Sequence, residues 1–383
     1  MNVLFLTTVL PHKKQMGSEV ASQSIIDGLR HAGFNVHTVG YLRTGDFSPL
    51  PPDTTIAGVR YIESRQAKFY PLLWLTMSML KQLPYTAAKY YSRTYVHHVK
   101  RLLSATRYNA VIIDHPQMAW IDRLVPSDTN LAFVAHNVEH EMYAELSRVD
   151  ESAFGRTIYR REARRIQEME SRLTQRAMEI WALTESDANY FRTATQAKVR
   201  VVPLPATSSV VEGPSSSKQF DIGLIGNWAW QANKEGLQWF IDKVLPYLPT
   251  EISIQIAGKG ADNLVPSLRN VKCTGFVPDA IAFMQQARVV AIPTLSGGGI
   301  QIKTLDAIGS GSFIVATQKA MRGIAKPPAT VMTANEPREF AQKLSDAWER
   351  TDTDTAFSEA LAWSTARRQL FQDEMTQIAK ALV

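Results

Sequence analysis

The chain has one cysteine, Cys273, among 383 residues. A single thiol excludes an intramolecular disulfide and any multi-cysteine metal site, and it fits a reducing compartment. Long apolar runs are missing too. The greasiest stretch, 71–80, includes Thr76 and Ser78 and has half the ~20 residues that a membrane-spanning helix needs. The opening MNVLFLTTVLPHKKQ carries no positive charge ahead of its short apolar run. It reads as a strand and not as a signal peptide, so a cytoplasmic location is expected, with the inner face of a membrane as a peripheral address. No basic-aromatic RNA motif, zinc finger or helix-turn-helix pattern accompanies the basic residues, and nucleic acid is not an expected partner.

What the sequence does contain suffices for two cores, because single cores rarely grow past roughly 250 to 300 residues. The net charge of +6 is unevenly placed: residues 1–206 hold 25 Lys+Arg against 19 Asp+Glu, and the remainder holds 17 against 17. A basic surplus confined to the first half suits an anionic lipid surface or an acidic substrate.

Short β-branched runs alternate with helical patterns, as in parallel α/β sheets with crossover helices. Strands are expected at 3–8, 35–40, 59–63, 110–114, 131–135, 179–184 and 199–203, then at 221–225, 253–257, 271–274, 289–292 and 313–316. Between the two sets lies a Ser/Pro/Gly-rich stretch too polar for a core element. The expected fold class is α/β, with two Rossmann-like domains facing a cleft. Residues 1–206 form the first domain, 207–218 a linker and 219–354 the second; 355–383 form a tail helix free to pack back on the first domain. Ligands of open α/β sheets bind outside the carboxyl ends of the strands, so a site between domains is expected.

The most informative segment is AIPTLSGGGIQIKTLDAIGSGSFIVAT, which reads strand, glycine loop, helix, turn, strand. Consecutive glycines let backbone N–H groups approach an anion, and a following helix adds the positive end of its dipole. A diphosphate fits there, with Lys303 in reach of a phosphate oxygen and Asp306, an acceptor only, suited to a sugar diol. The same residues would also serve a tight turn with a solvated lysine and a hydrogen-bonded aspartate.

The run GGGIQIKTLDAIGSGSFIVAT resembles the donor-binding segment of the family 4 glycosyltransferases, retaining enzymes of the GT-B fold. The resemblance implies a glycosyltransferase moving a sugar from a nucleotide diphosphate sugar to a glycan or lipid-linked acceptor. Gly298, Gly299, Ile300, Lys303 and Asp306 would hold the donor, Asp306 at its ribose hydroxyls. The chain departs from the family pattern at Gly298, where an acidic residue is usual, and at Gln301, where arginine is usual. FDIGLIGNWAWQANKEGLQWF is similar to the opening of the family's donor domain, placing Gly226, Asn227, Trp228 and Asn233 toward the donor. LTTVLPHKKQMGSEVASQS resembles the family's first strand, glycine loop and helix, with Gly17 and Ser18 on the acceptor side. VIIDHPQMAW puts His115 where related enzymes have a histidine near the donor sugar, and FVAHNVEHE puts His136, Asn137 and Glu139 past the next strand.

Departure of a diphosphate is electrostatic work that amides, a lysine and a helix N-terminus can do. His115 and Lys303 are the catalytic candidates, and no cofactor or metal is expected. The one DxD-type pair, Asp352 and Asp354, sits in a polar stretch and reads as a solvated turn. The apolar, aromatic and basic stretch 69–101 and the seven arginines within 156–176 are the features an anionic membrane surface would use, with Trp74 and Tyr85 as interfacial candidates. Two other classes share the double Rossmann pattern. They are a sugar-nucleotide 2-epimerase, which needs no acceptor, and a non-catalytic nucleotide-sugar-binding protein.

Overall fold

The computed structural model describes residues 1–14, 16–46, 48–61, 70–207, 218–265 and 268–383. It divides into two compact units, one comprising Met1–Pro203 with Phe371–Val383 and the other Leu204–Leu370. All but the ends of the expected linker lie outside the described residues.

The first unit holds a seven-stranded sheet: β1 (Asn2–Val9), β2 (Asn35–Arg43), β3 (Thr54–Arg60), β4 (Ala110–Asp114), β5 (Asn130–Ala135), β6 (Glu179–Ala182) and β7 (Lys198–Val201). Its order is β3-β2-β1-β4-β5-β6-β7, every pairing being parallel. The second unit repeats the scheme with β8 (Phe220–Ile225), β9 (Ile254–Ala257), β10 (Val271–Gly275), β11 (Ala287–Ile292), β12 (Phe313–Ala316) and β13 (Val331–Thr333), in the order β10-β9-β8-β11-β12-β13. Strands such as β4, AVIID, are buried at every residue, because a parallel sheet is covered on both faces. Each sheet reverses its strand order once, between β1 and β4 and between β8 and β11. Those switch points are where open α/β sheets leave a crevice for a ligand.

Two expectations are corrected. The third strand runs over Thr54–Arg60, starting five residues before the expected 59–63, of which 62 and 63 lie outside the described residues; this edge strand exposes Ile56 and Val59 and buries only Ala57, giving a weak apolar signal. Strand β13 was not expected; three half-buried residues after the Pro327–Pro328 pair are too short to announce themselves. The tail is one helix, Thr353–Ala381. Its end is seated in the first unit, where Arg200 Nη1 donates to Glu374 Oε1 at 3.0 Å and a side chain on Gly28 would collide with Met375.

Candidate functional site

In the second unit, β11 leads through Pro293 and Thr294 into Gly297–Gly299 and then into the helix Ile302–Gly309. Gly297 and Gly299 adopt φ of 104° and 64°, the left-handed region that side chains rarely enter. The Arg322 guanidinium donates to the Gly297 carbonyl and ties the loop down. Gln301, in the usual place of an arginine, turns inward, its Nε2 donating to Thr294 Oγ1 at 2.7 Å. The first N–H groups of an α-helix have no intrahelical acceptor, so this helix aims donors and partial positive charge toward the glycine loop.

Lys303 is the second residue of that helix, and its ammonium donates to Asn233 Oδ1 at 3.1 Å. It also sits 5.8 Å from the Trp228 ring centroid. Burial brings its pKa down to about 8. Asp306, one turn on, accepts from the Thr207 backbone N–H at 2.8 Å. Burial raises its carboxyl above the ordinary value, and the Thr207 hydrogen bonds offset part of that rise. Among the described residues Lys303 and Asp306 are therefore both held by neutral groups, and neither has an ion-pair partner.

The loop after β8 meets the same region. Asn233 Nδ2 donates to the Asn227 carbonyl at 3.0 Å, so Asn227, Asn233 and Lys303 form a chain of contacts. Trp228 is buried, its indole N–H donating to the Ala257 carbonyl at 2.8 Å, and it supports the loop from beneath. Gly226 packs on that ring, and a side chain on Gly258 would lie 1.8 Å from the Gly226 oxygen. Gly298 is exposed, Gly299 is buried and Ile300 is half-buried.

In the first unit the centre is a residue that the sequence reading passed over, Asp114 at the end of β4. It is fully buried, and Oδ2 accepts from Thr7 Oγ1 and Ser22 Oγ, each at 2.7 Å. Oδ1 lies 2.7 Å from His136 Nε2. A carboxylate only accepts, so Nε2 of His136 is the donor in this contact. His115 stacks on His136 with ring centroids 3.8 Å apart. Its φ of 72° is unusual outside glycine and costs of order 1–3 kcal/mol. Burial draws the His115 imidazole down to about 4, against an upward pull from Asp114. Burial would raise the Asp114 carboxyl, but the two imidazoles and the His136 and Thr7 hydrogen bonds outweigh it and hold the carboxyl at about 2. At neutral pH His115 is neutral, and the Asp114 anion rests on hydroxyl and imidazole donors.

Glu139, at the start of the helix Glu139–Val149, accepts from Gln117 Nε2 at 2.8 Å. Burial, then the charge of Glu170, pushes its carboxyl up to about 7. Asn137 is half-buried beside it in sequence. Gly17 opens the helix Gly17–His31, whose N-cap is Met16. The helix places Ser22 on Asp114, its single hydroxyl proton being shared with the Ser18 carbonyl at 2.9 Å. His115, His136 and Asp114 thus come together, with potential ligand atoms within 4.8 Å of one another, and hydrogen bonding alone accounts for both Asp114 oxygens. Asp352 is exposed and paired with Arg350 at 2.5 Å. The signal that could have found Asp114 is an acid closing the otherwise apolar strand AVII, directly before a histidine.

Residues 219–350 match the family model described as glycosyl transferases group 1. No curated protein shows significant sequence similarity to the chain. Among solved structures, sucrose-phosphate synthase from Thermosynechococcus elongatus is similar over 100% of this chain and 99% of its own, with a TM-score of 0.68 and 15% identity. WaaG, a glycosyltransferase involved in lipopolysaccharide biosynthesis, covers the same shares at a TM-score of 0.63 and 15% identity. Anabaena HepE in complex with UDP and glucose covers 100% and 99% at 0.61 and 16%. These likenesses fix the fold as GT-B.

Proposed function

We propose that this chain, whose second unit belongs to the group 1 glycosyltransferases, transfers a sugar from a nucleoside diphosphate sugar to a glycan or lipid-linked acceptor with retention at the anomeric carbon. The observation that carries the reading is the run from the glycine loop to the helix Ile302–Gly309. Over ten residues it puts two left-handed glycines, a helix N-terminus, a lysine that has no carboxylate partner among the described residues, and an acceptor-only Asp306. A diphosphate would take the loop amides and Lys303, and the ribose diol would take Asp306 in place of the Thr207 amide. Breaking the sugar–phosphate bond puts charge on the leaving oxygen, where fixed amides and an ammonium stabilise it. The reading assigns His115, neutral and stacked on His136, to the sugar end of the donor, with Gly17, Ser18, Asn137 and Glu139 on the acceptor side. HepE, a fold relative, was solved with UDP and glucose, which makes a uridine donor the first to test.

The test is calorimetric titration of UDP, GDP, ADP and their hexose conjugates against wild type and Asp306→Ala. One of them is expected to bind, and Asp306→Ala to weaken it by about 1.5 to 3 kcal/mol, the value of a hydrogen bond to a charged group. Transfer to acceptor is expected to persist in EDTA. Unaltered affinity in a folded Asp306→Ala protein removes that residue from the site, and turnover of donor to free nucleotide without acceptor favours the epimerase.

A further inference from the structure

The segments that follow β4 and β5 each carry one of the stacked histidines, His115 and His136, and they are tied together twice. Asp114 makes the first tie. The second is Glu139, a buried carboxyl that reaches both segments just past the histidines. It accepts from Gln117 Nε2, on the 3₁₀ helix Pro116–Leu124 that His115 leads into, at 2.8 Å. The side chain of Asn137, the residue after His136, also hydrogen-bonds to it. The other ends of these two amides, Gln117 Oε1 and Asn137 Oδ1, are buried without a partner. An ionised Glu139 only accepts, so it takes both N–H groups and leaves both oxygens orphaned. A protonated Glu139 has an O–H to give. An amide turned end for end, which hardly alters its shape, presents the oxygen that receives it.

The surroundings decide where a proton goes. Glu170 and Glu162 face Glu139 from the helix Ala153–Arg176, Tyr143 from its own helix, and Tyr90 from the turn after the helix Tyr85–Ala88. Carboxyls that share a buried place do not all ionise cheaply. Glu170 is already spent: Oε1 accepts from the Glu139 N–H at 3.1 Å, and Oε2 from the His140 ring at 2.6 Å and the His140 N–H at 3.4 Å. Glu162 is spent in the same way on the Tyr85 and Thr86 N–H groups, each at 2.9 Å. His140, next to Glu139 in the chain, turns its ring to Glu170 and Tyr190. Glu139 is therefore the carboxyl of the three that takes the proton, and burial followed by the Glu170 charge puts its midpoint at about 7.

We propose that Glu139 is a positioning residue for the stacked histidines: it clamps their two segments through Gln117 and Asn137, and gain or loss of its proton resets the clamp by turning an amide. With the proton lost, both amides point N–H groups inward and the anion lies against Glu170. With the proton bound, one amide offers its oxygen and the repulsion between like charges is gone. Gln117 and Asn137 stand within two residues of the histidines, so the change is carried to the rings. The part this plays in sugar transfer rests on the reading of His115 given above, whereas the clamp itself does not.

The test is NMR of the histidine ring Cε1–Hε1 signals in the full chain from pH 5.5 to 8.5. Protonation of His115 itself, at about 4, lies below that range. Its signal is nevertheless expected to move with a midpoint near the Glu139 value of about 7. Glu139→Gln, equal in shape and neutral at every pH, is expected to abolish the movement. Gln117→Leu, which keeps the carboxyl and cuts one tie, is expected to shrink it. A His115 signal that stays still in the wild type overturns the proposal. So does movement that Glu139→Gln leaves unchanged, which belongs to another group, or movement that Gln117→Leu leaves whole. Where a donor is bound and turned over, kcat is expected to change through pH 7 in the wild type and to stay level in Glu139→Gln; a profile that the variant leaves unchanged removes the clamp from transfer. Absence of any bound nucleotide, beside a His115 signal that moves as expected, would defeat the donor reading and leave the clamp standing.

Discussion

At the scale of single residues, the two units hold charge in opposite ways. Asp114 is an anion kept ionised by donors on both oxygens, whereas Lys303 is a cation held, among the described residues, by a neutral amide oxygen and an aromatic ring. Its depressed pKa of about 8 follows from burial alone. A bound diphosphate favours the ammonium, so complex formation above pH 8 must take up a proton. Nucleoside diphosphate affinity is accordingly expected to be flat below pH 7.5 and to fall by up to about 1.4 kcal/mol per pH unit above 8, the value of one linked proton. Calorimetry across pH 6.5 to 9.5 checks this, and Lys303→Arg, which stays charged, should remove the fall. A fall that persists in Lys303→Arg assigns the proton elsewhere. Glu139 titrates in the other direction. Its carboxyl is raised from 4.5 to about 7 by burial and by Glu170. The folded state then holds a proton that the unfolded chain has lost, and this stabilisation is complete below about 4.5 and disappears as pH rises through 7. The thermal midpoint is expected to drop between pH 5 and pH 8, with at most about 3 kcal/mol coming from this group. Glu139→Gln, measured over the same range, should flatten the drop; an unchanged slope means that other groups set it.

At the scale of elements, the sites depend on how closely two loops pass. The helix Gln231–Trp239 crosses the start of the glycine segment so tightly that a side chain on Gly236 would lie 1.9 Å from the Pro293 oxygen. Backbone cannot yield there as a flexible side chain could. Gly236→Ala is therefore expected to destabilise the second unit by more than the ~1 kcal/mol that a helical glycine-to-alanine change normally gains. It should also loosen nucleotide binding, because Asn233, on the same helix, holds Lys303. Scanning calorimetry with and without ligand measures both, and a variant more stable than wild type refutes the close crossing. This scale also shows what the sequence made legible. Eleven of the thirteen strands announced themselves through short β-branched runs, and the glycine loop with Lys303 and Asp306 stood out because unusual residues sit at short sequence spacing. The Asp114 centre did not stand out. Thr7, Ser22, Asp114 and His136 are ordinary residues spread over 130 positions, and only the parallel register of β1 with β4 and β5 brings them together. Gly236 was equally silent, since a helical glycine in isolation reads as a weak point and not as a crossing.

At the scale of the whole molecule, the charge surplus of the first half has a definite place. Arg160 and Arg164 are exposed on the helix Ala153–Arg176, while Arg156 is spent on the carbonyls of Asp150 and Glu151. Trp74, expected at an interface, is buried at 4% exposure because the helix Tyr70–Leu80 turns it inward, and Tyr85, outside that helix, is half-buried. The same helix turns its aliphatic residues outward: Leu72, Leu73, Met79 and Leu80 are more than half exposed, as is Phe154 near the arginines. No helix among the described residues is long and apolar enough to cross a membrane. An apolar strip beside exposed arginines instead suits shallow contact with an anionic bilayer, where each basic residue near the surface contributes about 1 kcal/mol and is screened over a Debye length. The protein is expected to sediment with vesicles containing anionic phospholipid at low salt, and not with neutral ones. Arg160→Glu/Arg164→Glu should weaken that association by roughly tenfold or more, since reversing a charge removes an attraction and adds a repulsion of similar size. Leu72→Ser/Leu73→Ser should weaken it without changing its salt dependence, because insertion of side chains is apolar work. Both variants should keep wild-type nucleotide affinity in the second unit. If wild type ignores anionic vesicles at low salt, the exposed leucines need another cover and a soluble acceptor becomes the better reading.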